Sequence, residues 1–138
     1  MNMRLTMLVL ISAILFSSCV TRRMTVPDDL PPSKIIQRAQ EASDRNRYRQ
    51  SLRYYEVILE RYPNNVDLVI TAEYEIAFIH YKQKKYELSK SEFQTLLERY
   101  NKLDAEFLPP KYKILSEKVL VRIEEVQVKT QRRFFWQK

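Results

Sequence analysis

Across its 138 residues the chain has no glycine, one cysteine, one histidine and one tryptophan. Without glycine there is no Gly-rich phosphate loop, dinucleotide fingerprint or EF-hand loop, each of which uses glycine for close backbone approach or positive φ. The Asn-Gly and Asp-Gly hairpin turns of all-β chains are missing too. One cysteine and one histidine, Cys19 and His80, exclude an intramolecular disulfide, a structural zinc site and an HExxH site. Catalysis of the Ser-His-Asp kind would have to run through His80 alone. The expected chain is all-α and works by binding; no catalytic residue, metal or cofactor is assigned. Lys and Arg outnumber Asp and Glu by 24 to 17, a formal charge of +7.

The N-terminus reads as an address. Arg4 gives a positive start, Leu5 to Phe16 an apolar run, and Ser17-Ser18 a small-residue cleavage site before Cys19. The run is short of the roughly 20 residues a spanning helix needs, so an export signal over residues 1–18 fits it better. Small residues followed at once by cysteine resemble the bacterial lipobox, with Phe16 where leucine is usual. That resemblance implies a diacylglyceryl group on Cys19 and further acylation of the new N-terminus, which together anchor stably. Val20, rather than Asp, follows the cysteine, which by the lipoprotein sorting pattern implies the outer membrane. Residues 19–32 contain Pro27, Pro31 and Pro32 and no apolar periodicity. They read as a proline-stiffened tether, which at roughly 3 Å per residue would reach ~40 Å.

The rest of the chain is a repeat. Residues 46–64, NRYRQSLRYYEVILERYPN, recur as residues 84–102, KKYELSKSEFQTLLERYNK, at a constant offset of 38. Tyr48 pairs with Tyr86, Ser51 with Ser89, Tyr55 with Phe93, Leu59 with Leu97, and Ala39 with Ala77 in the preceding segments. Each unit predicts two helices joined by a short polar turn. Leu68, Ala72, Ile76 and Ile79 recur at steps of three and four, with Ser33 and Asp67 as expected N-caps and Pro63 as a stop. Tyr112, Leu115, Val119, Ile123 and Val126 predict a final helix from near Pro110. Glu41–Arg45, Glu98–Lys102 and Glu125–Lys129 are acid-first i,i+4 pairs. Glu56/Glu60 and Glu124/Glu125 read as solvated surface carboxylates, and His80 as a core or boundary residue.

A helical pair of this length, with Ala39 or Ala77 small on the first helix and Tyr48/Tyr86, Ser51/Ser89 and Tyr55/Phe93 on the second, resembles the tetratricopeptide repeat. His80 replaces the expected tyrosine, and the NNVD connection lengthens the period beyond the usual 34 or so. The resemblance implies an α-solenoid of two hairpins over residues 33–131, with a long C-terminal capping helix. The YRQS opening and RYP ending, together with the export signal, resemble more narrowly the BamD family of outer-membrane lipoproteins over about residues 34–102. That resemblance implies a non-enzymatic scaffold on the periplasmic face of the outer membrane, with β-barrel assembly subunits or unfolded outer-membrane proteins as partners. A periplasmic or surface lipoprotein binding peptides or envelope partners is the alternative.

Two surfaces are candidates for contact. Thr71, Tyr74, Phe78, Tyr81 and Lys82 form a stripe which, in tetratricopeptide arrays, would line the partner groove; packing on the neighbouring unit competes with that role. Residues 132–138 form a basic-aromatic tail, with Arg132, Arg133, Phe134, Phe135 and Trp136 suited to a membrane interface or a docking partner. Export argues against nucleic acid.

Overall fold

A computed structural model describes residues 24–102 and 105–136, together with the backbone but not the side chains of Ala105 and Phe134. The export signal, Cys19 and residues 137–138 lie outside the described residues. Five α-helices and one short 3-10 turn make up the described regular structure, with no strand among these residues: α1 (Pro32–Asp44), α2 (Tyr48–Arg61), α3 (Val66–Lys82), α4 (Tyr86–Arg99), the turn Ala105–Phe107 and α5 (Pro110–Trp136). Neighbours in sequence pack on one another, α1 on α2, α2 on α3, α3 on α4 and α4 on α5; α5 also touches α3. The fold class is all-α, as the composition predicts.

The 38-residue offset survives as geometry. Ala39 and Ala77 are fully buried, as are Ser51 and Ser89, and Tyr55 and Phe93. Both hairpin turns close with the same left-handed residue, Asn46 at φ 57° and Lys84 at φ 62°. Around each, the next amide reaches back to close the helix: Arg47 N to Ala42 O at 2.8 Å, and Lys85 N to His80 O at 3.0 Å. This is the Schellman end that glycine usually occupies. A glycine-free chain builds it with Asn and Lys; the Tyr48 hydroxyl also donates to Asn46 Oδ1 at 2.6 Å.

Helix α3 is apolar on two sides. Leu68, Ala72, Ile76 and Ile79 join α1 and α2 in one core cluster. Ile70, Tyr74, Ala77, Phe78 and Tyr81 join α4 and α5 in another. Each hairpin thus completes its core on the next, as stacked units do. The first core holds a mismatch, since Tyr55 Oη is buried without a partner where Phe93 has no hydroxyl.

The helix starts differ from expectation. Asn65 caps α3, its side chain accepting from Leu68 N at 3.1 Å, and Asp67 sits in the first turn. Pro31 precedes α1 and Ser33 lies within it. Pro63 follows the end of α2 at Tyr62, and α5 starts at Pro110, as read. The three sequence-local ion pairs are not formed; Arg53 instead holds both Glu56 and Glu60, and Arg99 reaches Glu73 across helices at 2.6 Å.

The proline-rich segment is no free spacer over residues 24–30. Val26 is buried in the first core, and Met24 and Leu30 pack beside it. The Arg61 guanidinium donates to the carbonyls of Val26 (2.7 Å) and Pro27 (2.8 Å) and to the Asp28 carboxylate (2.7 Å). A bidentate, planar cation suits a strap presenting several oxygens at once.

Candidate interaction surfaces

The stripe predicted on α3 divides. Thr71 is occupied within the fold: its hydroxyl donates to Asp67 O at 2.6 Å and accepts from Tyr112 Oη at 2.9 Å. Tyr74 is core, 7% exposed, its ring centroid 5.0 Å from Tyr112 and 5.6 Å from Phe93. Burial pushes its hydroxyl up to about 12. These two residues are where α5 seats on α3.

Phe78, Tyr81 and Lys82 remain half-buried. Phe78 stacks between Tyr74 at 5.9 Å and Tyr81 at 5.8 Å, and Tyr81 meets Tyr86 at 5.9 Å. Lys82 Nζ lies 5.3 Å from the Phe78 ring centre and donates to Ser43 Oγ on α1 at 3.0 Å. The cation is thereby held over an aromatic face, an arrangement that adds modest stability and a fixed positive charge.

Glu75 belongs to the same face and was not singled out from sequence, although Thr71, Glu75, Phe78 and Lys82 follow steps of four, three and four. Burial pushes its carboxyl above the usual range; Lys82 and Lys111 oppose the shift, and Asp44 adds to it. Side chains of α1, α3 and α5 therefore converge there: Ser43 and Asp44, Glu75 to Lys82, Lys111 and Tyr112. The surface offers an aromatic ladder, one half-buried acid and two cations. Aromatic faces, a carboxyl and two ammonium groups can stack on and hydrogen-bond to polar and aromatic side chains.

His80 lies on the other flank of α3, its Nδ1 2.7 Å from Glu92 Oε2 on α4. It ties the second hairpin together. No group of three or more potential metal-ligating side chains occurs among the described residues.

The tail is helical. Residues up to Trp136 continue α5, with Arg132 and Arg133 exposed, Phe135 83% exposed and Trp136 89% exposed. Val128, Gln131, Arg132, Phe135 and Trp136 line an open cavity of about 530 Å³ there. The Phe134 side chain and Cys19 lie outside what the structure describes. No described helix is long and apolar enough to cross a membrane.

Comparison with known proteins finds one relative of note, an uncharacterized protein of Treponema pallidum (strain Nichols), 34% identical over 103 residues. The match covers 75% of this chain and 41% of that protein, so the matched stretch spans about two-fifths of its relative. No family model matches the chain, and no solved structure matches it significantly.

Proposed function

We propose that the chain is a membrane-anchored, non-enzymatic scaffold lipoprotein built from two tetratricopeptide-like units, serving outer-membrane β-barrel assembly in the manner of BamD-like proteins. The observation that carries the reading is the recurrence, at one 38-residue offset, of both hairpin closures and both buried serines. Repeating hairpins that complete one another's cores make rigid surfaces for other proteins.

Cys19 carries the lipid in this account, and the Arg61 strap sets its reach. With residues 24–30 docked, the five residues from Cys19 to Met24 span at most about 17 Å. The helical units then stand close to the periplasmic face of the outer membrane, where assembly subunits and unfolded barrel precursors are met. Phe78, Tyr81 and Lys82 are the groove residues left to contact such partners. Arg132, Arg133, Phe134, Phe135 and Trp136 provide the second contact.

A second reading keeps the same anchor and takes peptides or envelope ligands as partners; the half-open Phe78–Tyr81 ladder under Lys82 favours it. Depletion separates the two. Loss of folded barrels from the outer membrane on depletion supports the assembly role, and unchanged barrel levels support the second reading.

A further inference from the structure

The two hairpin turns and the far end of α5 lie on one edge of the molecule. Helices α1 to α4 run alternately up and down, so the α1–α2 turn sits beside the α3–α4 turn. Lys82 Nζ at the second turn donates to Ser43 Oγ at the first, at 3.0 Å. Helix α5 returns along α4 to the same edge, where Gln127 Nε2 donates to Glu87 Oε1 at 2.5 Å. Residues 128–136 therefore run on past the start of α4, roughly 13 Å of helix at 1.5 Å per residue.

This edge is cationic. The first turn carries Arg45, Arg47 and Arg49. The second matches it with Lys82, Lys84 and Lys85, and the protruding end of α5 has Lys129, Arg132 and Arg133. Over residues 44–50, 82–88 and 128–136 the only acids are Asp44 and Glu87. All these cations except Lys82 are exposed, and no ion pair among the described residues involves any of them. The opposite edge, residues 28–34, 60–67, 98–102 and 106–113, has six acids and six cations. The excess of positive charge is thus gathered at the turns, where it sets up a directed field.

We propose that the hairpin-turn edge is a docking surface for an anionic phospholipid bilayer, with the end of α5 entering the headgroup layer. The cations are spread over three separate element ends, which suits a broad anionic sheet. Phe135 and Trp136, 83% and 89% exposed, stand at the protruding tip beside Arg132 and Arg133, and aromatic rings next to arginine favour headgroup depth. The chain also enters the described structure beside this edge. Met24 lines an open cavity of about 1330 Å³ with Asn46, Arg47 and Arg49, and Arg22 and Arg23 come just before it. The proposal needs no lipid on Cys19, and it survives failure of the barrel-assembly reading.

Trp136 is the sole tryptophan, so its fluorescence reports the tip directly. The test uses the full-length chain with Cys19→Ser, which removes the proposed acyl anchor. Vesicles of equimolar phosphatidylglycerol and phosphatidylcholine should shift Trp136 emission to the blue, and brominated acyl chains in them should quench it. Vesicles of phosphatidylcholine alone should do neither. Lys84→Gln with Lys85→Gln, far in sequence from the reporter, should weaken the apparent affinity roughly tenfold. Lys102→Gln with Lys113→Gln on the opposite edge should change it less than about twofold, and added salt should weaken it throughout. Circular dichroism checks that each variant keeps its helices. An unshifted Trp136 on the anionic vesicles, an equal shift on phosphatidylcholine alone, or equal losses from the two pairs of substitutions would overturn the proposal. An equal shift with poly-glutamate in place of vesicles would mark an acidic-protein surface and overturn it too. Pure lipid contains no assembly subunit, so this result is separable from the scaffold role.

Discussion

The Ser89 hydroxyl donates to the carbonyl oxygen of Ala77 at 2.8 Å, twelve residues back across the hairpin, and both residues are fully buried. Ser51 does the same to Ala39 at 2.7 Å. In each unit the second helix is thus fastened to the first by a hydrogen bond shielded from water, at the place where the small residue lets the helices approach. Ser89→Ala and Ser51→Ala should each lower unfolding free energy by about 1 kcal/mol, and the double variant by about the sum, because the two sites are in different hairpins. Urea denaturation followed by circular dichroism measures it. A change near zero in either would mean that the hydroxyl is not what fixes the spacing.

Lys84 adopts φ 62° in the turn between α3 and α4. A β-carbon there is crowded, at about 1 kcal/mol, and glycine relieves it. Lys84→Gly should therefore stabilise the chain by up to about 1 kcal/mol. Asn46→Gly should gain less, because asparagine tolerates this region and Asn46 Oδ1 would be lost as the acceptor of the Tyr48 hydroxyl. The order of the two melting temperatures is the readout.

Arg61 fastens the strap by three donations, to Val26, Pro27 and Asp28. Arg61→Ala should free residues 24–30 while leaving α1 to α5 folded. Hydrogen exchange should quicken at the Leu30 amide, which bonds Pro27 O at 3.3 Å, and proteases should cut ahead of α1. Unchanged exchange would show that Val26 burial alone holds the strap.

Glu75 supplies a pH dependence of definite sign. Burial raises its folded-state pKa above 4.5, so the folded chain holds this proton more tightly than the unfolded chain. Its favourable contribution is complete below that value and is lost as pH rises through the raised folded pKa. The charged groups that face it are Lys82, Lys111 and Asp44. Glu75→Gln should therefore be more stable than the unaltered chain at pH 7, with the difference shrinking toward pH 4. Glu73, raised by burial against the pull of Arg99, keeps its own dependence in both proteins. Thermal melts across that range measure the difference.

The repeat was legible because its signal is periodic and local. Ala39 and Ala77, Ser51 and Ser89, and Tyr55 and Phe93 hold their places by spacing alone, and the structure buries all six. Features set by residues far apart were not legible. Nothing near Val26 announces a partner 35 positions away at Arg61. Tyr74 reads like its stripe-mates until Tyr112 covers it from α5. Helix starts shifted by two residues, from Asp67 to Asn65, because either side chain can cap and backbone geometry decides which does. Residues 132–138 read as a tail because the inward stripe ends near Val126, yet no proline or asparagine stops the helix before Trp136.

Affinity isolation of the full-length chain from detergent extracts of its own cells tests the proposed scaffold role most directly. The account predicts co-purification of the barrel-forming assembly subunit, reduced when Phe78, Tyr81 and Lys82 are replaced by alanine in a chain that still melts cooperatively. Failure to recover that subunit, under conditions that keep the assembly complex intact, would contradict it.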